Sequence, residues 1–192
     1  MFINRLVTVL MCLFLVCANC ANAWDVSKFS DDAVILSALR LLYNIKADEV
    51  FENLRENSVK IIFYDLSLID FTYYSHHAIN SVDNNGRRYI LINNRYKNAS
   101  KEQIACLIVH ESFHKSKRAN MKEEALATKK EAYYWTLLKV PGKTYANSAL
   151  THRLDSLAYS HRKSTDEINL IERRIQNSSF YQEQLITTRN RL

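Results

Sequence analysis

Glycine and proline are nearly missing from this chain, with two glycines and one proline in 192 residues. Because these residues punctuate loops and turns, their scarcity points away from a fold of many short strands and toward a mostly helical one. Cysteine is scarce where it would matter. Of four cysteines, Cys12, Cys17 and Cys20 fall in the first 23 residues, and only Cys106 lies beyond them. Without that leader no intramolecular disulfide can form, even in an oxidising compartment. Cys106 sits in the apolar stretch Ile104 to Val109 and reads as a buried, inert thiol. There is no repeat period and no low-complexity segment. Hydrophobic residues at 47% and charged residues at 24% argue against intrinsic disorder.

The apolar run Leu6 to Val16 follows Arg5 and is followed by Ala21-Asn22-Ala23, a small-x-small pattern. Together these predict a secretory signal peptide over 1–23, cut after Ala23. The run is short for a bilayer span, so no stable membrane span is expected after cleavage. Val16 and Asn19 stand before Cys17 and Cys20, where a lipidated cysteine needs a small residue. The expected location is therefore secreted or periplasmic, in the cell envelope. Residues 24–192 have the length of one ordinary domain. The formal charge of +6 falls to about +5 without Arg5. Basic and acidic residues are interspersed throughout, which reads as a solvated surface and not as a nucleic-acid footprint.

Along residues 24–192, Ser30-Asp31-Asp32 reads as a helix start, with Ser30 as cap. Val34, Ile35, Ala38, Leu39, Leu41 and Leu42 follow at helical spacing. Val50, Phe51 and Leu54 extend that helix or form a second. Val59 to Asp65, Phe71 to Val82 and Tyr89 to Asn93 read as strands. The turn signal Asp83-Asn84-Asn85-Gly86 makes the last two a hairpin. Ser100 and Gln103 form a capping box that opens an amphipathic helix through Ile104, Leu107 and Ile108. After a break near Arg118 to Asn120, a second helix runs from about Met121 to Lys139 and stops at Pro141-Gly142. Leu150, Leu154 and Leu157, and later Ile168, Ile171 and Ile175 after a start at Ser164 to Glu167, give a helical C-terminal subdomain over about 144–192. It closes one side of a cleft or, alternatively, presents a partner-binding helical pair.

Residues 110–114 read His-Glu-Ser-Phe-His. Histidines at i and i+4 lie above one another on a helix face, so both imidazoles can reach one metal ion. Glu111, next to the first histidine, can bond a metal-bound water without being a ligand. Imidazole and carboxylate suit Zn2+, which lowers the pKa of bound water to about 7. Glu111 would take a proton from that water and pass it to the leaving amine. The bland reading is a helix face that carries these residues by coincidence. The capping box and strand just before the motif weigh against it. For a third ligand, Glu124, Ala127, Glu131, Trp135 and Leu138 share one face of the second helix. Glu124 is the first candidate, with Glu123 and Glu131 as alternatives. Those that do not bind metal become acceptors for a ligand histidine or plain surface charges.

Ile108 to His114 together with Glu124-Ala125 resembles the gluzincins, the thermolysin-like clan of zinc peptidases. The short chain, with the strand YILIN just before the motif helix, looks like a minigluzincin over roughly Val59 to Lys139. The resemblance implies an edge strand near Tyr89 to Asn93 that aligns an extended substrate. It also implies zinc on His110 and His114, Glu111 as general base, and a glutamate ligand on the next helix. Lys115 and Ser116 depart from the family, which more often has uncharged and then hydrophobic residues there. The metzincin pattern is absent, since no histidine lies between His114 and His152.

His76 and His77 could border the cleft, although an exposed or hydrogen-bonded pair is the plainer reading. Tyr145, His152, Arg153, Tyr159 and His161 are candidates for stabilising an oxyanion, against ordinary helix-surface roles. The fold expected is α+β: a small, mainly antiparallel sheet, a two-helix zincin core and a helical C-terminal region. The function expected is zinc-dependent hydrolysis of a peptide or protein substrate. The alternative is a catalytically silent zinc-binding regulatory or interaction protein of the cell envelope. Nothing in the pattern fixes an oligomeric state.

Overall fold

Asp32, two residues after the expected cap, starts the first helix in the computed structural model, which describes residues 24–116 and 121–163. Its carboxylate accepts from the amides of Val34 and Ile35 at 2.8 and 3.1 Å, two donors that a helix start leaves without partners. Ser30 instead accepts from the amide of Asp32. Helix α1 (Ala33–Asn44) buries Ile35, Ala38, Leu39 and Leu42 along one stripe. Lys46, at φ 58°, turns the chain out of the helix, so Val50, Phe51 and Leu54 belong to a separate helix, α2 (Asp48–Glu56).

Strand β1 (Lys60–Tyr64) follows, then β2 (Ala78–Val82) and β3 (Arg88–Asn93). The expected strand from Phe71 is shorter at its start. Asp70 accepts from both the amide and hydroxyl of Thr72, and that local capping winds Phe71–Ser75 into a 3₁₀ turn. Between β2 and β3, Asp83 accepts from the amides of Asn85 and Arg87, both at 2.8 Å, and Gly86 takes φ 79°. That closes the hairpin as expected. The sheet order is β1-β3-β2, with β1 parallel and β2 antiparallel to β3. The sheet is therefore mixed, not mainly antiparallel. It also corrects the strand implied to be an edge: β3 lies in the centre, and among the described residues the edges are β1 and β2. The hairpin fills one side of β3, which leaves the other side to β1.

Helix α3 (Lys101–Ser112) starts at the expected capping box, Ser100 N to Gln103 Oε1 at 3.1 Å and Gln103 N to Ser100 Oγ at 3.3 Å. It is buried on every side from Glu102 to Ser112, and so is not the amphipathic helix expected. α1, the sheet, α4 (Met121–Leu138) and α5 (Ala149–Lys163) surround it. Glu102, inside this shell, is neutralised by Lys143 Nζ at 2.8 Å. Cys106 is buried and free, and burial pushes its thiol well up.

Helix α4 buries the whole expected face, Glu124, Ala127, Glu131, Trp135 and Leu138. The small Ala127, fully buried, lets α3 and α4 approach closely. Trp135 Nε1 donates to Asp155 of α5 at 2.8 Å. Leu150, Leu154 and Ala158 of α5 join the same buried cluster as Ile61, Ile90, Ile104 and Leu39, so this helix is part of the common core. Among the described residues no helix is long and apolar enough to cross a membrane. The signal segment 1–23, the break at 118–120 and the helix start at 164–167 with its isoleucines lie outside the described residues.

Candidate metal centre

The last turn of α3 carries the motif. α3 ends at Ser112, so His114 stands just past the helix. The turn tightens there: Phe113 N donates to His110 O at 3.2 Å and His114 N to Glu111 O at 3.3 Å. Two side chains of the hairpin hold this end. Asn80 Nδ2 donates to the carbonyls of Glu111 and His114 at 3.1 and 3.2 Å. Arg88 donates to the carbonyls of His114, at 3.2 Å, and of Lys115. They satisfy carbonyls that a helix end leaves open and fix His114 in place without helical backbone.

The two imidazoles meet as their spacing predicts, with Nε2 atoms 3.2 Å apart. Glu124 of α4 spans them, Oε1 at 3.3 Å from His110 Nε2 and Oε2 at 3.3 Å from His114 Nε2. One ligand atom from each of the three residues lies within 4.8 Å of the others, and the group can hold a metal ion. Two ligands at about 2.0–2.1 Å from a tetrahedral ion are roughly 3.3 Å apart, so the observed edges fit such an ion. Thr128 Oγ1, one turn on, lies 3.4 Å from Glu124 Oε1.

The other two carboxylates take different roles. Glu131 is fully buried; its Oε2 lies 2.9 Å from His110 Nδ1 and its Oε1 accepts from Arg153 of α5. An ionised carboxylate only accepts, so Nδ1 carries a hydrogen, and loss of the proton on Nε2 would free that nitrogen's lone pair toward Glu124 and His114. Glu123 points elsewhere, accepting from Ser116 Oγ at 2.7 Å and Ser116 N at 3.1 Å. Of the three glutamates, Glu124 reaches both histidines.

Charge at the centre is unbalanced without a cation. Burial pushes His110 down, but Glu124 and Glu131 outweigh it and lift the imidazole to about 10. A proton there stands in for a positive ion. Burial, and then the charge on His110, lower His114. Glu111 is 7% exposed, and burial raises its carboxyl to about 7 against the pull of His110. Burial pushes the Glu131 carboxyl up, but Arg153 and then His110 outweigh it and hold the carboxyl below its ordinary value.

His76 and His77 border this centre. Burial holds both at about 4; His76 feels the charge of Glu124, and His77 those of Arg153, Glu131 and His110. His77 Nδ1 is hydrogen-bonded to Tyr96 Oη. The remaining candidates lie apart. Tyr145 stacks edge-on against Trp135 and accepts from Val140 N, His152 bonds Asn147, Tyr159 is exposed, and His161 packs near Tyr133. Arg153 is the exception, bound to Glu131. Sequence reasoning missed Asn80 and Arg88. A polar residue in the middle of Ala78–Val82 was the available signal for the first, and Arg88 gave none. A shallow depression of about 410 Å³ lies on another face of α4, lined by Lys46, Glu49, Lys130 and Tyr133 among others, and shares no residue with the centre.

No family model matches this chain, and neither any curated protein nor any solved structure matches it.

Proposed function

We propose that the chain is a zinc-dependent peptidase of the gluzincin type, acting outside the cytoplasm. The observation that carries this reading is one carboxylate, Glu124, within 3.3 Å of both His110 and His114 beside a buried Glu111. Two imidazoles and a carboxylate are the donor set of catalytic zinc sites, which leave one position open. His110, His114 and Glu124 would hold the ion. When bound, zinc supplies Lewis acidity and brings a water to a pKa of about 7.

The rest of the chemistry falls to the chain. Glu111, raised toward 7, takes the proton of the attacking water and returns it to the leaving amine. Glu131 fixes the tautomer of His110, so that Nε2 can bind. Among the described residues β2 is an edge strand, and Asn80 ties it to the motif. An extended peptide can add to that edge through backbone hydrogen bonds, which puts its carbonyl groups alongside the centre. Export is supported by the sequence pattern of residues 1–23, an apolar run after Arg5 that ends in Ala21-Asn22-Ala23.

The test compares zinc-loaded wild type with Glu111→Ala on a mixture of unstructured peptides. Cleavage by wild type, with cleavage lost in Glu111→Ala at equal zinc content, is the expected result. Zinc bound by both with cleavage by neither would favour a silent zinc-binding protein.

A further inference from the structure

The two oxygens of Glu131 are divided between two helices. Oε2 lies 2.9 Å from His110 Nδ1 on α3, and Oε1 accepts from the Arg153 guanidinium on α5. The carboxylate itself is fully buried, whereas the Arg153 side chain is 28% exposed and reaches in from the rim. A buried carboxylate without a counter-charge is strongly disfavoured, and His110 supplies only one neighbour for one oxygen. The second oxygen has Arg153.

We infer that Arg153 is a positioning residue for the metal centre, holding the Glu131 carboxylate in the place that orients His110. The inference rests on the metal reading above and extends it to the C-terminal helix. α5 contributes no ligand, yet metal retention would depend on it through this one side chain. The planar guanidinium suits the task, since it carries its charge permanently and aims fixed donors at a carboxylate. Losing an outer partner of a ligand histidine commonly weakens metal binding about 10–100-fold.

The experiment uses the full chain with zinc ion and a competing chromophoric chelator to read affinity. Three variants are compared: Arg153→Met, Arg153→Lys and Asp155→Asn. Asp155 lies on the same helix and bonds Trp135 and Lys139, so its loss loosens α5 without touching Glu131. Arg153→Met should weaken zinc binding about 10–100-fold. Arg153→Lys should recover part of the loss, and Asp155→Asn should match wild type. With cobalt in place of zinc, the visible spectrum should shift in Arg153→Met and not in Asp155→Asn. Should Arg153→Met fail to fold, the Arg153→Lys spectrum and affinity carry the test, and wild-type values there would count against the inference. Equal affinity in wild type and Arg153→Met overturns it, as does an equal loss in Asp155→Asn. A wild type that binds no zinc overturns the metal reading itself, which separates the two failures.

Discussion

Glu124 and Glu123 are neighbours in the chain, yet they do opposite things. Glu124 faces α3 and sits between two imidazoles, whereas Glu123 is turned about 100° around α4 and binds the backbone and hydroxyl of Ser116. On the proposed zinc reading, Glu124→Gln should lower zinc affinity at least as much as the ~10–100-fold seen for outer partners, and Glu123→Gln should leave it unchanged. Chelator competition on the two variants measures this. A larger loss in Glu123→Gln would reassign the third ligand. The motif histidines were legible from their spacing, although only His110 lies in the helix and His114 is brought to it by the tightened turn at the helix end. The choice among Glu123, Glu124 and Glu131 was not. It depends on the rotation of α4 against α3, which packing sets and local sequence does not.

Helix α3 ends where the site begins, so its two ends govern the site's stability. At the start, Ser100 and Gln103 satisfy each other's backbone donors, and Ser100→Ala should lower stability by about 1 kcal/mol in urea unfolding. At the far end, Asn80 makes two hydrogen bonds to the carbonyls of Glu111 and His114. Asn80→Ala should cost about 1–2 kcal/mol, since a hydrogen bond contributes roughly 1 kcal/mol net. It should also weaken zinc binding, because His114 no longer has helical backbone to hold it. Unchanged zinc affinity in Asn80→Ala would mean that Arg88 alone suffices. The capping box was readable as a four-residue pattern, and so was the Asp83 turn. The burial of α3 on every side was not readable, because its coverage comes from elements distant in the chain. The place of β3 at the centre was hidden for the same reason: strand order is a long-range property, and the hairpin alone does not say which side β1 takes.

For the molecule as a whole, the buried centre makes stability depend on pH in a definite direction. In the metal-free chain His110 is lifted from 6.5 to about 10, so its contribution is complete below 6.5 and lost as pH rises through 10. Glu111, lifted from 4.5 to about 7, adds to the loss as pH rises through 7. His76 and His77, lowered from 6.5 to about 4, act oppositely: their contribution is present above 6.5 and disappears as pH falls through 4. Metal-free protein should therefore lose stability between pH 7 and 10 in thermal or urea unfolding. Zinc should cancel that loss, since ligand deprotonation favours binding. A metal-free chain that gains stability over that window would contradict the charge balance described. The helix-rich character was visible in the scarcity of glycine and proline and the strands in the β-branched and aromatic runs from Val59 and Tyr89, whereas the union of α5 with the core needed Leu150 and Leu154 to be seen in place. The most direct test of the central claim is zinc content after purification and dialysis in metal-poor buffer, then loading with zinc. The account predicts one ion per chain in wild type and in Glu111→Ala, and none retained in His110→Ala or His114→Ala. Equal zinc in all four would contradict it.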